Sequence, residues 1–208
     1  MTHWKDVLSL DTENSLMTQF STPDGKEYNY SILPFDSRMT PEFMDAMTEG
    51  MMRMLEDELH EATTIVLPES KAFPLVLLAK QARLKAAFIR KRDYNEQNLF
   101  EIHQQKVYTG ATTMYCVKNA LDRSDKLLIV DDMISSGGTQ IAIIRALQEQ
   151  GFSIVGIGSV YERGDGIERI RRETGYRAKG LARLEIVNGR ARVERFYDET
   201  VVRNVTLV

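Results

Sequence analysis

An α/β fold, an open, twisted, mainly parallel sheet with helices on both faces, is predicted by three features of the sequence. Short continuous apolar runs, the mark of strands buried on both faces, alternate with segments whose apolar residues recur at helical spacing. One unit, a strand at 63–67, a helix at 72–85 and a strand at 86–89, has the length of a βαβ crossover, which implies parallel pairing and a right-handed connection. Polar clusters also fall at the C-terminal ends of predicted strands: Glu69 to Lys71, Arg90 to Arg92, Asp131 to Thr139 and Glu162 to Gly164. That edge is where an open α/β sheet binds its ligand.

The remaining elements follow in chain order. Residues 1–40 are the least regular part, with Pro23, Gly25 and Pro34 among scattered aromatics; they are expected to form a lid or hood, with a short strand at 28–33. Thr40-Pro41 gives an N-cap with proline at N1, and Phe43, Met44, Met47, Met51, Met54 and Leu55 place a helix over 41–59 with a methionine-rich face suited to core or subunit contact. Residues 93–105 are polar and aperiodic, with five amide side chains, and read as a long exposed loop. Strands are expected over 106–115 and around 116–119, with Gly110 at a bend or bulge. A strand at 127–130 ends in Asp131-Asp132, a helix runs over 140–150, and another strand covers 152–160. A short charged helix at 167–174 stops at Gly175, and two alternating runs flank Asn188-Gly189, a strong hairpin signal.

At 208 residues, one domain spanning 1–208 is expected, with a flexible loop at 92–106. A hydrophobic share of 43% against 27% charged is the balance of a water-soluble globular protein. The formal net charge of -3 argues against nonspecific attraction to nucleic acid. The single Cys116 excludes an intramolecular disulfide and a cysteine-rich zinc site, so a reducing, cytoplasmic location is expected. No apolar run reaches membrane-spanning length, and residues 1–25 hold no signal-like apolar core. His3, His60 and His103 are not at metal-ligand spacing.

The chemistry concentrates in KLLIVDDMISSGGTQ, residues 126–140. Two adjacent carboxylates at the end of an apolar strand are costly inside a core, so Asp131 and Asp132 are expected to face a cleft and meet a cation or hydroxyls. The turn Ser135-Ser136-Gly137-Gly138-Thr139 can wrap a phosphate with backbone N–H groups and hydroxyls, helped by the free N–H groups of the helix that follows. A Walker A reading fails because no Lys follows the Gly-Gly. A Rossmann-like strand, turn and helix with an incidental polar loop remains the bland alternative. Glu69 could equally cap the helix beginning near Ala72, and Arg90-Lys91-Arg92 could be a solvated charge run.

Residues 127–139 resemble, without a gap, the phosphoribosyl-diphosphate (PRPP) binding motif of the type I phosphoribosyltransferases: apolar residues, two acidic residues, two variable ones, then Ser/Thr-Ser/Thr-Gly-Gly-Thr. EIHQQKVYTG and the stretch from GIGSVYERGDG to RARVE are most similar to purine enzymes, archaeal hypoxanthine/guanine ones of the adenine phosphoribosyltransferase type first and xanthine enzymes second. The resemblance covers roughly residues 28–197. It implies transfer of 5-phosphoribose from PRPP to a purine base, hypoxanthine/guanine or adenine, with Mg²⁺ as cofactor and a homodimer; the charge and the short apolar runs add the expectation of no membrane or nucleic-acid partner. It assigns Asp131, Asp132 and Lys91 to catalysis, with the two aspartates also toward Mg²⁺, directly or through water. Ser135 to Thr139 would bind the PRPP phosphate, and Glu69, Ser70, Lys71, Arg90, Lys91 and Lys106 the pyrophosphate. Arg163 would approach the base, and residues 92–106 would be the mobile hood loop. The sequence departs from the pattern at Lys71, where these relatives usually keep a glycine. The competing reading is a noncatalytic regulator on the same fold that senses PRPP or a nucleotide.

Overall fold

The computed structural model describes residues 3–21, 27–69, 71–92, 99–106, 110–188 and 190–198. Eight strands form one sheet in the order β10-β9-β8-β7-β3-β4-β6-β5. The central five are parallel: β9 (Ala178–Val187), β8 (Ser153–Glu162), β7 (Lys126–Ile134), β3 (Thr64–Pro68) and β4 (Lys85–Arg90). Antiparallel strands close both edges, β10 (Arg190–Phe196) on one side and the pair β6 (Gly110–Val117) and β5 (Leu99–Lys106) on the other. A separate antiparallel pair, β1 (Leu16–Ser21) and β2 (Glu27–Ile32), belongs to the N-terminal segment.

Strand alternation separates two cores, one on each face of the sheet. In β7, Leu128 and Val130 join the core beneath α1 (Trp4–Glu13), α2 (Pro41–Met54), α3 (Glu56–Glu61) and α4 (Val76–Ala82). Leu127 and Ile129 join the core beneath α5 (Gly138–Glu149) and α6 (Gly166–Thr174). All four side chains are fully buried, which contributes on the order of 1.5–3 kcal/mol each. The methionine-rich face of α2 lies in the first core through Met47, Met51 and Met54. Its start is as read from the sequence, with Pro41 at N1 and the Phe43 amide donating to the Thr40 hydroxyl at 3.1 Å.

Several elements differ from the sequence expectation. Residues 99–106 are strand β5 rather than exposed loop, because Phe100 and Ile102 alternate with Glu101 and His103 and are buried at the sheet edge; two anchors are too few to register as a period. The rest of the expected loop, 93–98, lies outside the described residues. The 41–59 helix breaks at buried Leu55, giving α2 and α3. The 72–85 helix is shorter, since Pro74 sits in a 3₁₀ turn and α4 begins only at Val76. The N-terminal segment is more regular than its composition indicates. Helix α1 buries Trp4 and Leu8, sets the Trp4 ring edge-on to Phe196 with centroids 5.2 Å apart, and pairs the Thr12 hydroxyl with the Tyr161 hydroxyl at 2.8 Å. No described helix is long and apolar enough to cross a membrane.

Candidate active site

Strand β7 does not stop at the acidic pair but runs on to Ile134, so the residues of the pair face opposite sides. Asp131 shares the parity of Leu127 and Ile129 and turns toward α5, where the Gln140 Nε2 donates to its Oδ2 at 2.6 Å. Its other oxygen accepts the Asp132 N–H at 2.9 Å. Asp132 shares the parity of Leu128 and Val130. Only 7% of Asp131 and 9% of Asp132 are exposed. Burial raises the Asp131 pKa well above the usual carboxylate range, and the neighbouring Asp132 charge adds to it. Burial raises Asp132 as well, while Asp131 and the Lys71 ammonium pull it back.

The exits of β3 and β4 are tied together by Glu69. Its Oε2 accepts the Lys91 N–H at 2.8 Å and Arg90 Nε at 3.1 Å, and its own N–H donates to the Ile89 carbonyl at 2.7 Å. The alternative reading of Glu69 as a helix cap therefore fails. Burial works to raise its pKa, but the Lys91 amide and the Arg90 guanidinium outweigh it and hold the carboxyl below its usual 4.5. A carboxyl so depressed adds stability that is present above the ordinary carboxylate range and lost as pH falls through its folded value. Glu69→Gln is accordingly expected to destabilise by at most about 1 kcal/mol at pH 7. Urea unfolding should show that difference vanish in the acid range; a difference that persists or grows there would remove this account.

These two halves meet around a cleft of about 210 Å³. Asp131, Asp132, Ser135 and Thr139 line it from β7 and the turn beyond, and Glu69, Lys71 and Lys91 line it from the exits of β3 and β4. Lys71 forms an ion pair with Asp36 from the 3₁₀ turn Pro34–Asp36. Burial lowers the Lys71 pKa and the Asp132 charge opposes it.

Among the described side chains, those of Arg90 and Arg163 are not part of the cleft lining. Arg90 is turned into the Glu69 carboxylate, with its guanidinium 5.2 Å from the Phe73 ring centre. Arg163 follows β8, and its N–H donates to the Ile134 carbonyl at 2.9 Å, which places its backbone beside the end of β7. Lys106 is the last residue of β5, opposite Gly110. Ser70 lies outside the described residues. Ser136, Gly137 and Gly138 make the turn into α5.

That turn is shaped by contacts the sequence did not announce. Gly137 has φ +73°, a left-handed conformation that favours glycine. The start of α6 packs directly on it: a Cβ built on Gly166 would collide with the Ser135 carbonyl oxygen and stand 2.8 Å from the Gly137 nitrogen. Arg169 Nη1 donates to the Ser136 carbonyl at 3.0 Å while its Nε pairs with Glu173 at 2.7 Å. Asp36 and Gln140 were also missed. Asp36 sits in the aperiodic N-terminal segment, and Gln140 carries no motif signal beyond a polar side chain in a helix's first turn.

Residues 41–175 match the phosphoribosyl transferase domain family. The chain belongs to that family. Among phosphoribosyltransferases, it is 33% identical to the hypoxanthine/guanine phosphoribosyltransferase of Methanothermococcus okinawensis over 165 residues, 79% of this chain and 88% of that one. The hypoxanthine/guanine phosphoribosyltransferase of Methanococcus vannielii is 31% identical over 185 residues, 87% and 96% of the two chains. Among solved structures, adenine phosphoribosyltransferase from Rhodothermus marinus superposes with a TM-score of 0.69 at 21% identity, covering 87% of this chain and 98% of that one. The Giardia lamblia enzyme, complexed with 9-deazaadenine, gives 0.70 at 18%, covering 88% and 98%. At those identities the likeness is one of fold, and it matches the parallel sheet and flanking helices described above.

Proposed function

We propose that this phosphoribosyltransferase moves 5-phosphoribose from PRPP to a purine base, hypoxanthine or guanine first and adenine second, releasing pyrophosphate, and that it works as a homodimer. The observation that carries the reading is the meeting, in one cleft, of the buried acidic pair and the Ser135–Thr139 turn with Lys71 and Lys91. The names of the most similar relatives support the choice of base.

In this reading the bond from the ribose anomeric carbon to the pyrophosphate oxygen breaks, and a purine ring nitrogen bonds to that carbon and loses its proton. The departing pyrophosphate takes the bonding electrons, and the anomeric centre passes through an oxocarbenium-like stage. Positioning and charge balance therefore matter more than a nucleophilic side chain. The turn into α5 holds the 5′-phosphate with N–H groups and hydroxyls. Asp131 and Asp132 accept the ribose hydroxyls and offset the positive charge that develops at the sugar. Lys71 and Lys91 stabilise the leaving pyrophosphate, and Glu69 fixes the backbone that presents Lys91.

No group of three or more His, Cys, Asp or Glu that could hold a metal ion occurs among the described residues. Mg²⁺ is commonly held by only one or two carboxylates together with substrate oxygens and water, and two buried carboxylates beside a phosphate-sized cleft fit that arrangement. Asp131 and Asp132 would hold it, and when bound it would neutralise diphosphate charge.

The test is turnover. The purified chain, given PRPP, Mg²⁺ and in turn hypoxanthine, guanine, adenine, xanthine and orotate, is expected to release pyrophosphate with at least one of the first three. PRPP binding without turnover on any base would overturn the transferase reading and favour a sensing regulator.

A further inference from the structure

We propose that Gln140 is a positioning residue: its amide holds the Asp131 carboxylate in the orientation that reads the ribose hydroxyls. The inference rests on the sugar-phosphate reading of the cleft, though not on turnover.

Gln140 is a long polar side chain with only 2% exposure, so the interior must satisfy its amide. It stands at the third position of α5, where a glutamine ordinarily reaches back to the amide of the N-cap residue. Here that residue is Gly137, and the Gln140 Nε2 crosses instead to β7 and donates to Asp131 Oδ2 at 2.6 Å. With Oδ1 fixed by the Asp132 N–H at 2.9 Å, both carboxylate oxygens are anchored and the plane of the group is set. A carboxylate held by one bond can rotate about its Cβ–Cγ axis; one held by two, in different directions, cannot do so without breaking one. The first turn of α5 also holds two of the phosphate-wrapping residues, Gly138 and Thr139, immediately before Gln140. One turn of helix therefore sets both the phosphate ligands and the sugar ligand. The Gln140 to Asp131 hydrogen bond thus ties the orientation of the hydroxyl acceptor to the turn that wraps the phosphate.

The consequence is specific: loss of the Gln140 amide should erase discrimination between sugars that do and do not carry the 2-hydroxyl, while leaving phosphate affinity alone. The full chain is titrated calorimetrically, in constant Mg²⁺, with ribose 5-phosphate and with 2-deoxyribose 5-phosphate. The native protein is expected to prefer ribose 5-phosphate by about tenfold, the size of one hydrogen bond to a charged group. Gln140→Met, similar in length but without a donor, should shrink that preference to within about twofold while the affinity for the deoxy sugar stays unchanged. Gln140→Asn, polar but one methylene too short to reach Asp131, should do the same and serves if the apolar variant does not fold; melting temperatures report folding. Retention of the ribose preference in either folded variant overturns the proposal, as does an equal loss of both sugars, the mark of a merely structural residue. A native protein that prefers ribose 5-phosphate but turns over no base would refute the transferase reading and leave this inference standing. A native protein without the preference would overturn the inference whatever its turnover.

Discussion

Replacing Asp131 and Asp132 together by Asn is expected to lower phosphoribosyl transfer by about two to three orders of magnitude, the usual loss when groups facing a developing charge are removed. The same substitution should raise the melting temperature. Burial lifts the pKa of both carboxyls, so the folded chain holds their protons more tightly than the unfolded chain does. For an acid whose folded pKa is raised, stability is greatest below its unfolded pKa and falls as pH rises toward the folded value; above that, the full penalty remains. Asn has nearly the same shape and no charge, so the variant escapes the penalty at neutral pH. Each kcal/mol recovered should add roughly 2–4 °C in a chain of this size. Calorimetric scans of the native and double-substituted proteins from pH 4 to pH 8, with pyrophosphate-release assays on the same samples, check both halves. Unchanged kinetics would remove the aspartates from the reaction, and a lower melting temperature at pH 8 would show that they stabilise rather than strain the fold.

Gly166→Ala is expected to damage the phosphate turn from outside the cleft lining. The added methyl would collide with the Ser135 carbonyl, and the obstacle is backbone on both sides, with the Gly137 nitrogen at 2.8 Å. Backbone cannot rotate away as a side chain would, so α6 or the turn must shift. Overpacking of this kind costs about 1–3 kcal/mol. Where the shift is taken up by the turn, PRPP affinity should fall by roughly ten- to a hundredfold. Gly175→Ala is the control: no atom lies within 4 Å of a Cβ there, and the cost is only that of its left-handed φ of +79°. Equal PRPP affinity in the Gly166→Ala and native proteins would show that α6 does not shape the phosphate turn.

The parallel centre of the sheet and the cleft edge are legible in the sequence because each rests on a local signal. Continuous apolar runs mark β3, β4, β7 and β8, and polar residues at the exits of β3, β4 and β7 line the cleft. Local signals fail where partners are distant. Phe100 and Ile102 look like stray apolar residues in an amide-rich tract until β6 is beside them. The opposed directions of Asp131 and Asp132 follow from strand continuation past the pair, and a strand end cannot be placed to one residue from composition. Arg90 reads as a cleft cation, but a guanidinium between a carboxylate and an aromatic ring is better satisfied there, and neither partner's position is visible in one dimension. Lys71 stands out in the sequence only as a departure from the usual glycine, and its ion-pair partner Asp36 comes from the least periodic part of the chain, where no local signal marks it.

The docking of α1 bears on the order in which the molecule is assembled. The Thr12 to Tyr161 contact spans 149 positions along the chain, whereas every described cleft residue lies between Pro68 and Thr139. Closing the long span costs more chain entropy than pairing β3, β4 and β7 through their crossovers, and contacts between distant positions slow folding. The walls of the cleft can thus come together while α1 is still free, and its docking completes the face of the sheet to which Asp132 points.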